Sequence, residues 1–180
     1  MSATRDPRPL TGEPLALDLL NTRWNTGVVQ DLLADTDGLA VWLASNGLAG
    51  AHPADAEVLR RLRTARDAVK AAVDGSPAQA APLVDAVLAH GRIRARLTAG
   101  GHPAEEPEFA DPAWGPAWLA ARNYLELLTR GPDRIRACSG AHCILYFFDT
   151  SRNGTRRWCS MAACGNRAKA SRHYARAKEN

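Results

Sequence analysis

The sequence lacks cysteine over its first 137 residues, and it has no long hydrophobic run anywhere. A membrane-spanning helix needs roughly 18 or more continuous apolar residues, so we expect no such helix. The opening segment, Met1 to Pro7, is polar and interrupted by proline, and it lacks the apolar centre of a secretory signal. These absences predict a cytoplasmic protein.

The usual sequence signatures of catalysis are also missing. There is no glycine-rich phosphate loop, no helix with two zinc-binding histidines and no serine in a nucleophile elbow. His52, His90 and His102 stand alone beside glycine or proline, which is typical of loop residues. We therefore expect that the protein is not an enzyme.

Acidic residues become scarce towards the end of the chain. The 180 residues include 23 Lys and Arg against 19 Asp and Glu, a net charge of +4. Residues 1–129 hold 12 basic and 16 acidic side chains, a balance of −4, whereas residues 130–180 hold 11 and 3, a balance of +8. This asymmetry predicts an acidic front part followed by a basic tail that binds a polyanion.

The front part of the chain shows helical periodicity. Apolar residues recur at three- and four-residue steps between Val58 and Val73, the spacing of an amphipathic helix. We predict helices over about 15–21, 37–46, 53–75, 77–90 and 111–130, with a short β hairpin pairing 93–97 with 108–110. The predicted units are a flexible lead-in (1–13), a helical domain (14–131) and a small C-terminal domain (132–180). About 115 residues can fold around their own core, whereas the last 50 would need a staple.

Residues with strong positional preferences mark the predicted helix ends. Asp37 and Asp111 are predicted to cap helices at their N-termini, and Pro53 to open the longest helix. Gly75 and Gly131 are predicted to end helices, since glycine is favoured just after a C-terminus.

All four cysteines lie within 27 residues, in the pattern Cys138-x4-Cys143-x15-Cys159-x4-Cys164. In a reducing compartment, clustered thiols bind metal more often than they form disulfides. Two close pairs separated by an insert suit a tetrahedral centre, and four soft ligands favour zinc or an iron–sulfur cluster. Nothing else in the chain suggests redox chemistry, so we predict one Zn²⁺. With four protein ligands it has no open position, and its role is structural.

The insert between the two cysteine pairs predicts a β hairpin. Ile144–Phe148 is apolar and aromatic, Asn153-Gly154 is a turn signal, and Arg157-Trp158 begins the return. A helix is predicted from about 166 to 178. Knuckle, hairpin and helix in this order are typical of a treble-clef zinc finger. The predicted fold class is therefore a mainly α N-terminal domain with one short hairpin, followed by a small treble-clef-like finger.

Three runs in the tail resemble the CGNR zinc finger family: Asp149–Asn153, Arg156–Met161 and Cys164–Lys169, the last containing the signature Cys-Gly-Asn-Arg. In that family the finger follows a helical ABATE domain, and Leu15–Arg23 is similar to the opening motif of that domain. The resemblance covers essentially the whole chain. It implies a bacterial, stress-associated transcription regulator whose zinc finger binds DNA. Gly154 stands where the family often has a basic residue, which implies one phosphate contact fewer.

The basic residues of the hairpin and the last helix predict a nucleic-acid-binding surface. On a helical projection, Lys169, Arg172 and Arg176 lie within about 60° of one another. Asn153 and Arg172 are placed to reach base edges, and the other residues to meet phosphates. The residues predicted to bind DNA are Arg152, Asn153, Arg156, Arg157, Arg167, Lys169, Arg172 and Arg176.

Two alternative partners for the basic tail stay open. RNA would be favoured if Tyr146, Phe147 or Phe148 were exposed and stacked on bases, although a small zinc domain needs such aromatics for its core. The tail could instead dock an acidic protein partner, or the acidic front domain itself, as an interaction adaptor. No heptad pattern indicates an oligomeric state.

The opening motif of the front domain also allows two interpretations. Asp18, Asn21 and Arg23 could line a pocket for a small-molecule effector, which would make the front domain a sensor. In the structural interpretation, Asn21 caps the end of its helix and Arg23 pairs with an acidic residue.

Overall fold

The computed structural model describes residues 5–171, apart from the side chain of Pro77. Most of the front part is helical, and strands occur only in pairs within this range. The helices are α1 (Leu15–Leu20), α2 (Thr36–Ser45), α3 (Ala56–Asp74), α4 (Pro77–Leu88) and α5 (Gly115–Arg130). The strands are β1 (Arg23–Asn25), β2 (Val29–Asp31), β3 (Gly91–Leu97), β4 (Pro103–Phe109), β5 (Ile135–Ala137) and β6 (Tyr146–Phe148). A further helix begins at residue 166 and continues to the last described residue.

Aspartates cap the N-termini of α2 and α3. Asp35 accepts a hydrogen bond from the backbone N–H of Gly38 (2.9 Å) ahead of α2, and Asp55 accepts one from Val58 (2.9 Å) ahead of α3. The predictions that Asp37 caps α2 and that Pro53 opens α3 are therefore wrong. A capping residue precedes the first turn in an extended conformation, which Asp35 has, whereas Asp37 already lies in the first turn.

The predicted ends of two helices and the start of α5 are confirmed. Gly75 follows α3, and Gly131 follows α5 with a φ of 147°. Asp111 accepts from the N–H of Ala113 (3.0 Å) and opens a short 3₁₀ turn, Pro112–Trp114, that leads directly into α5.

The core of the front part is built around α3. This helix packs against α4 and α5 and also contacts α1. Its buried residues recur along one face, as the periodicity predicts, and include Val58, Leu62 and Val69. The largest fully buried side chains around them include Leu17, Leu33, Leu39, Trp42 and Leu127.

The predicted hairpin in the front part exists and is longer than expected. Strands β3 and β4 pair over seven residues each, from Gly91 opposite Phe109 to Leu97 opposite Pro103. The second strand therefore starts well before the predicted 108–110. Prolines at 103 and 107 hide it from sequence reasoning, because proline usually argues against a strand unless the strand lies at an edge.

The segment ahead of α1, predicted as a flexible lead-in, has no regular secondary structure over residues 5–14. It nevertheless contributes a buried side chain, Arg8. The guanidinium of Arg8 pairs with Asp18 of α1 at 2.6 Å and with Asp6 at 2.7 Å. Asn46 also donates to Asp18, at 3.0 Å. This network fixes the lead-in against α1 and the end of α2.

None of the described helices combines the length and the apolar content that crossing a bilayer requires.

Candidate metal centre and basic surface

The four cysteines converge on one point of the C-terminal part. Their sulfur atoms all lie within 4.8 Å of one another. Cys143 Sγ lies 3.8 Å from Cys159 Sγ, which lies 3.6 Å from Cys164 Sγ. A tetrahedral zinc ion with Zn–S distances of about 2.3 Å has sulfur–sulfur edges of about 3.8 Å. The four sulfur atoms therefore have the spacing that a single zinc ion requires.

Two tight turns bring the cysteine pairs together. In the first turn, a Cβ atom added to Gly140 would lie 2.9 Å from Cys164 Sγ and 3.2 Å from Cys143 Cβ, so the close approach requires glycine. In the second, Ser160 Oγ accepts a hydrogen bond from the N–H of Ala163 (3.3 Å) at the start of a π-helical turn that carries Cys164.

Hydrogen bonds to sulfur orient the candidate ligands. Cys138 Sγ accepts from the backbone N–H of Cys159 (3.2 Å) and of Gly140 (3.4 Å). Arg167 donates from Nη2 to Cys164 Sγ at 3.1 Å, and this contact raises the pKa of the guanidinium. Such donors fix ligand geometry and offset the negative charge of a four-thiolate site. The arginine of the Cys-Gly-Asn-Arg motif thus has a role at the metal centre.

The thiols strongly influence one another. The hydrogen bond with Cys159 lowers the pKa of Cys143 to about 5 and raises the pKa of Cys159. Burial raises the pKa of Cys138. A cluster of this kind holds one thiolate easily and resists further ionisation because the charges repel. A divalent cation removes that obstacle, since it replaces the protons that the sulfur atoms would otherwise keep.

The strand between the cysteine pairs is confirmed, but its partner differs from the prediction. β6 pairs with β5, which precedes Cys138, so that Ile135 lies opposite Phe148. The expected return strand at 157–158 is wrong: in the described structure that segment is not a strand, and one bond, from Ser139 N–H to Arg157 C=O (2.9 Å), ties it to the first turn. The turn at Asn153-Gly154 is confirmed, with φ of 60° at Gly154.

A buried aspartate explains why the chain does not return alongside β6. Asp149 accepts hydrogen bonds from Ser151 N–H (2.9 Å), Ser151 Oγ (2.6 Å) and Arg156 N–H (2.9 Å), and these bonds lower its pKa. Arg134 donates to the carbonyl oxygens of Asp149 (2.7 Å) and Ser151 (2.8 Å). The loop from 149 to 156 therefore closes on itself. The Asp-x-Ser pattern, typical of a side-chain-closed turn, is the sequence signal for it.

The residues predicted to bind nucleic acid divide into two groups. Arg156 is half-buried: it donates to the carbonyls of Cys159 (2.6 Å) and Trp158 (3.0 Å), and its guanidinium lies 4.2 Å from the ring centre of Phe147. Its placement is that of an internal brace, not of a free surface group. Exposed residues of the predicted set are Arg152, Asn153, Arg157, Arg167 and Lys169. Arg172 and Arg176 lie outside the described residues.

Several exposed cations of the predicted surface have no acidic partner, a setting that they share with the exposed Arg5, Arg94 and Arg130 within the described structure. Among the described residues, Arg152, Arg157 and Lys169 make no ion pair with a carboxylate. Arg157 instead lies over the indole of Trp158, with Cζ 5.3 Å from the ring centre. It lines an open groove of about 560 Å³ beside the second cysteine pair.

The opening motif of the front part connects it to the C-terminal part. Asn21 Nδ2 donates to Tyr146 C=O (2.9 Å), and Tyr146 N–H donates to Asn21 Oδ1 (2.8 Å), both within buried surroundings. Arg23 pairs with Asp31 at 3.2 Å, as the structural interpretation expects. The carboxylate of Asp18 forms an ion pair with the guanidinium of Arg8. The polar atoms of this motif are thus bonded to protein groups, which favours a structural role over a ligand pocket.

Further contacts hold the two parts together. Glu13 accepts from Phe148 N–H (2.9 Å) and from Arg156 Nη2 (3.2 Å). Tyr146 Oη donates to Asp74 at the end of α3 (2.6 Å) and accepts from Lys70 (3.1 Å). Sequence reasoning missed these contacts, because nothing local to either partner indicates the other.

Comparison with known protein families gives two matches that together span most of the chain. Residues 13–131 match the family model ABATE, described as "Putative stress-induced transcription regulator". Residues 134–177 match the CGNR zinc finger. The two occur in the order that the sequence motifs predict. No curated protein sequence matches the chain at a significant level.

The family match and the sulfur geometry support the same cofactor. Four cysteines of a CGNR zinc finger lie at zinc-binding distances, so the protein has one structural Zn²⁺ site. The predicted fold class is confirmed as well: a mainly helical N-terminal part, with the strand pairs β1–β2 and β3–β4, precedes a small zinc finger that contains a hairpin and a helix.

Proposed function

Because the chain belongs to the ABATE family and carries a CGNR zinc finger, we propose that it regulates transcription by binding duplex DNA through the exposed cations of that finger. In this proposal the helical front part is the regulatory module, which holds the finger in place. The zinc ion has no catalytic role, because its four protein ligands leave no position for water or substrate.

The observation that carries the proposal is the unpaired charge of the finger. Arg152, Arg157 and Lys169 are exposed and make no ion pair within the described structure. Pairing with a neighbouring carboxylate would neutralise most of their field. Left unpaired, they favour association with a polyanion, since each phosphate that they neutralise releases a condensed counterion from DNA.

The loops that carry the exposed arginines of the finger are held in place by hydrogen bonds. The loop that carries Arg152 is closed by Asp149 and Arg134, and Arg157 lies between residues held by the cysteine cluster. A charge on an ordered loop loses less conformational entropy on binding than one on a flexible tail. The zinc-stabilised fold thus supports binding by presenting the cations on a defined surface.

The burial of the aromatic residues favours duplex DNA over single-stranded RNA. Tyr146, Phe147 and Phe148 are at most 7% exposed, so they form the core of the finger and are not available to stack on bases. A protein that binds single-stranded RNA generally needs such exposed rings.

The proposal is tested with the full-length, zinc-loaded protein and a random-sequence duplex at several salt concentrations. We expect the logarithm of the association constant to fall with the logarithm of salt concentration, with a slope of magnitude about four to six. In the double variant Arg152→Ala, Lys169→Ala the magnitude of the slope should decrease by about 1.8, because two phosphate contacts are lost.

The matched control removes two exposed arginines from the front part. Arg92→Ala, Arg96→Ala deletes the same number of charges, but those arginines are paired with Glu108 and Glu106. The control should keep the wild-type slope. Absence of duplex binding at low salt, or an affinity that does not depend on salt, would overturn the proposal. Binding to an acidic protein but not to DNA would support the adaptor alternative.

A further inference from the structure

One exposed arginine of the finger has a more constrained setting than the others. The carbonyl of Arg157 accepts a hydrogen bond from Ser139 N–H (2.9 Å), within the first cysteine turn. Two residues later, Cys159 N–H donates to Cys138 Sγ (3.2 Å). The backbone is therefore attached to the first cysteine turn at Arg157 itself and again two residues later.

The side chain of Arg157 is oriented as well. Its Cζ lies 5.3 Å from the centre of the Trp158 ring, within the range of a cation–π contact. This contact is not a hydrogen bond, and the N–H groups of the guanidinium make none within the described part of the chain. Arg156 and Arg167 differ, because their N–H groups already bond to carbonyl oxygens and to Cys164 Sγ. Among the residues that the structure describes, Arg157 thus combines a fixed position with free donors, whereas Arg152 has free donors and no contact that orients its side chain.

The surroundings of Arg157 are only partly polar. The groove that it lines also contains the hydroxyl-bearing residues Thr155 and Ser160, the indole of Trp158 and the side chain of Met161, which is 54% exposed. Arg156 lines the groove too, but its guanidinium is held by carbonyl groups. A phosphate would lose hydration beside apolar carbon atoms and gain only one free cation. A base edge, which has both acceptor atoms and apolar carbons, is a better match.

We propose that Arg157 reads guanine in the major groove, donating through its guanidinium fork to O6 and N7. This inference rests on the proposed function and changes the role predicted for Arg157 from a phosphate contact to a base contact. Guanine is the base whose two adjacent acceptors match the spacing of the fork, and an arginine–guanine pair is worth about 1–3 kcal/mol of discrimination. That range corresponds to a preference of about 5- to 150-fold.

The experiment begins with selection of bound duplexes from a random-sequence library by the full-length, zinc-loaded protein. We expect the enriched sequences to share at least one guanine at a constant position. Replacing that guanine by 7-deazaguanine removes the N7 acceptor and should weaken binding by wild-type protein. A duplex without the shared guanine should bind about 5- to 150-fold more weakly than the enriched one.

The first variant is Arg157→Lys, which keeps the charge but loses the fork. We expect it to bind random duplex DNA nearly as well as the wild type with a reduced guanine preference, because an ammonium reaches O6 or N7 without the fixed geometry of the fork. Arg157→Ala should lose both the guanine preference and the response to 7-deazaguanine. Arg152→Lys is the matched control and should keep both. Zinc content and the circular dichroism spectrum, measured for each variant, identify any misfolded protein.

The outcomes separate this inference from the function on which it rests. If Arg157→Ala keeps the guanine preference, or if it weakens all duplexes equally, Arg157 does not read guanine and the inference is overturned. If the wild type binds random DNA but enriches no shared guanine, the inference fails and the proposed function stands. If the wild type binds no duplex, both fail.

Discussion

The helical front part and the zinc finger differ in how often an exposed arginine pairs with a carboxylate. On the front part, several exposed arginines pair with carboxylates: Arg60 lies 2.6 Å from Glu57, and Arg92 lies 2.6 Å from Glu108, although Arg94 makes no ion pair in the described structure. On the finger, the exposed Arg152 has no such partner in the described structure. The comparison teaches that net charge is a poor guide to surface potential, because ion pairing cancels more of the charge in the front part than in the finger.

The two regions also differ in what holds them together. The front part buries a continuous set of leucines and tryptophans between helices, as Leu62 and Trp42 illustrate. The buried aromatic residues of β6 belong to the same buried cluster, which in the finger also includes Cys138, Cys159 and Cys164. About 50 residues bury too little apolar surface for an independent fold, so we expect the ion to supply much of the stability of the finger.

Removing the metal is expected to have the largest effect, and the finger should lose far more structure than the front part. A chelator should unfold the finger, because structural zinc contributes about 10–16 kcal/mol of apparent binding free energy in small zinc modules. The helical front part should keep most of its far-ultraviolet circular dichroism. Limited proteolysis should then cut preferentially after residue 131, and added zinc should restore resistance.

A matched pair of variants tests whether zinc binding depends on the cysteine sulfur atoms. Cys164→Ser should abolish stoichiometric zinc in elemental analysis, whereas Ser139→Ala, an exposed residue within the first turn, should keep it. A finger that resists protease after complete removal of zinc would show that packing alone holds both regions.

The second prediction concerns the contact between the regions. Asn21→Ala leaves the buried N–H and C=O of Tyr146 without their partners, which should cost about 2–4 kcal/mol of unfolding free energy. Zinc should also dissociate faster, because β6 loses its support. Urea unfolding and competition with a chelator measure the two effects.

Asn25→Ala is the control for that variant. Asn25 also donates across the contact, to His142 C=O at 3.0 Å, but the bond is exposed. Its loss should cost under about 1 kcal/mol, because water replaces the missing partner. If the two variants lost the same unfolding free energy, burial of the Asn21 hydrogen bonds would not contribute to stability.

The smallest predicted effect is a pH dependence at the same contact. Burial raises the pKa of Tyr146 above its ordinary value of 10.0, and the hydrogen bond to Asp74 raises it further. A folded-state pKa above the unfolded value gives stability that is fully present below about pH 10 and is lost as pH rises through the folded value. Unfolding free energy should therefore fall in that alkaline range.

Tyr146→Phe should remove that part of the alkaline loss, as measured by urea unfolding at several pH values. Burial alone raises the pKa of Tyr124, so Tyr124→Phe should leave the loss due to Tyr146 intact. If both variants behave like the wild type above pH 10, neither tyrosine couples ionisation to folding.

Local features of the sequence predicted much of the fold. The period of apolar residues in α3 and the proline and glycine around α5 act within a few residues, so their structural consequences could be inferred directly. The starts of α2 and α3 were misplaced by a few residues because several aspartates and prolines compete for the capping position. Strand β4 was mostly missed because its prolines conceal an edge strand.

The candidate site was predictable only as far as its ligands were close in sequence. Cysteine spacing indicates a four-sulfur centre, since the chemistry of the metal restricts the arrangements of its ligands. The roles of the arginines could not be inferred in the same way. Arg156 and Arg157 are adjacent in the chain, yet one braces the interior and the other faces the open groove.

The sequence by itself determined the helices, the metal ligands and the basic character of the tail, because each of these follows from residue types at short spacing. The tertiary structure decided which cations are free, which partner β6 takes and how Asn21 meets Tyr146 across 125 residues of chain. Those outcomes depend on the burial of groups that are distant in sequence. Burial is a property of the folded chain, and it decides whether a polar side chain bonds to protein or remains available to a ligand.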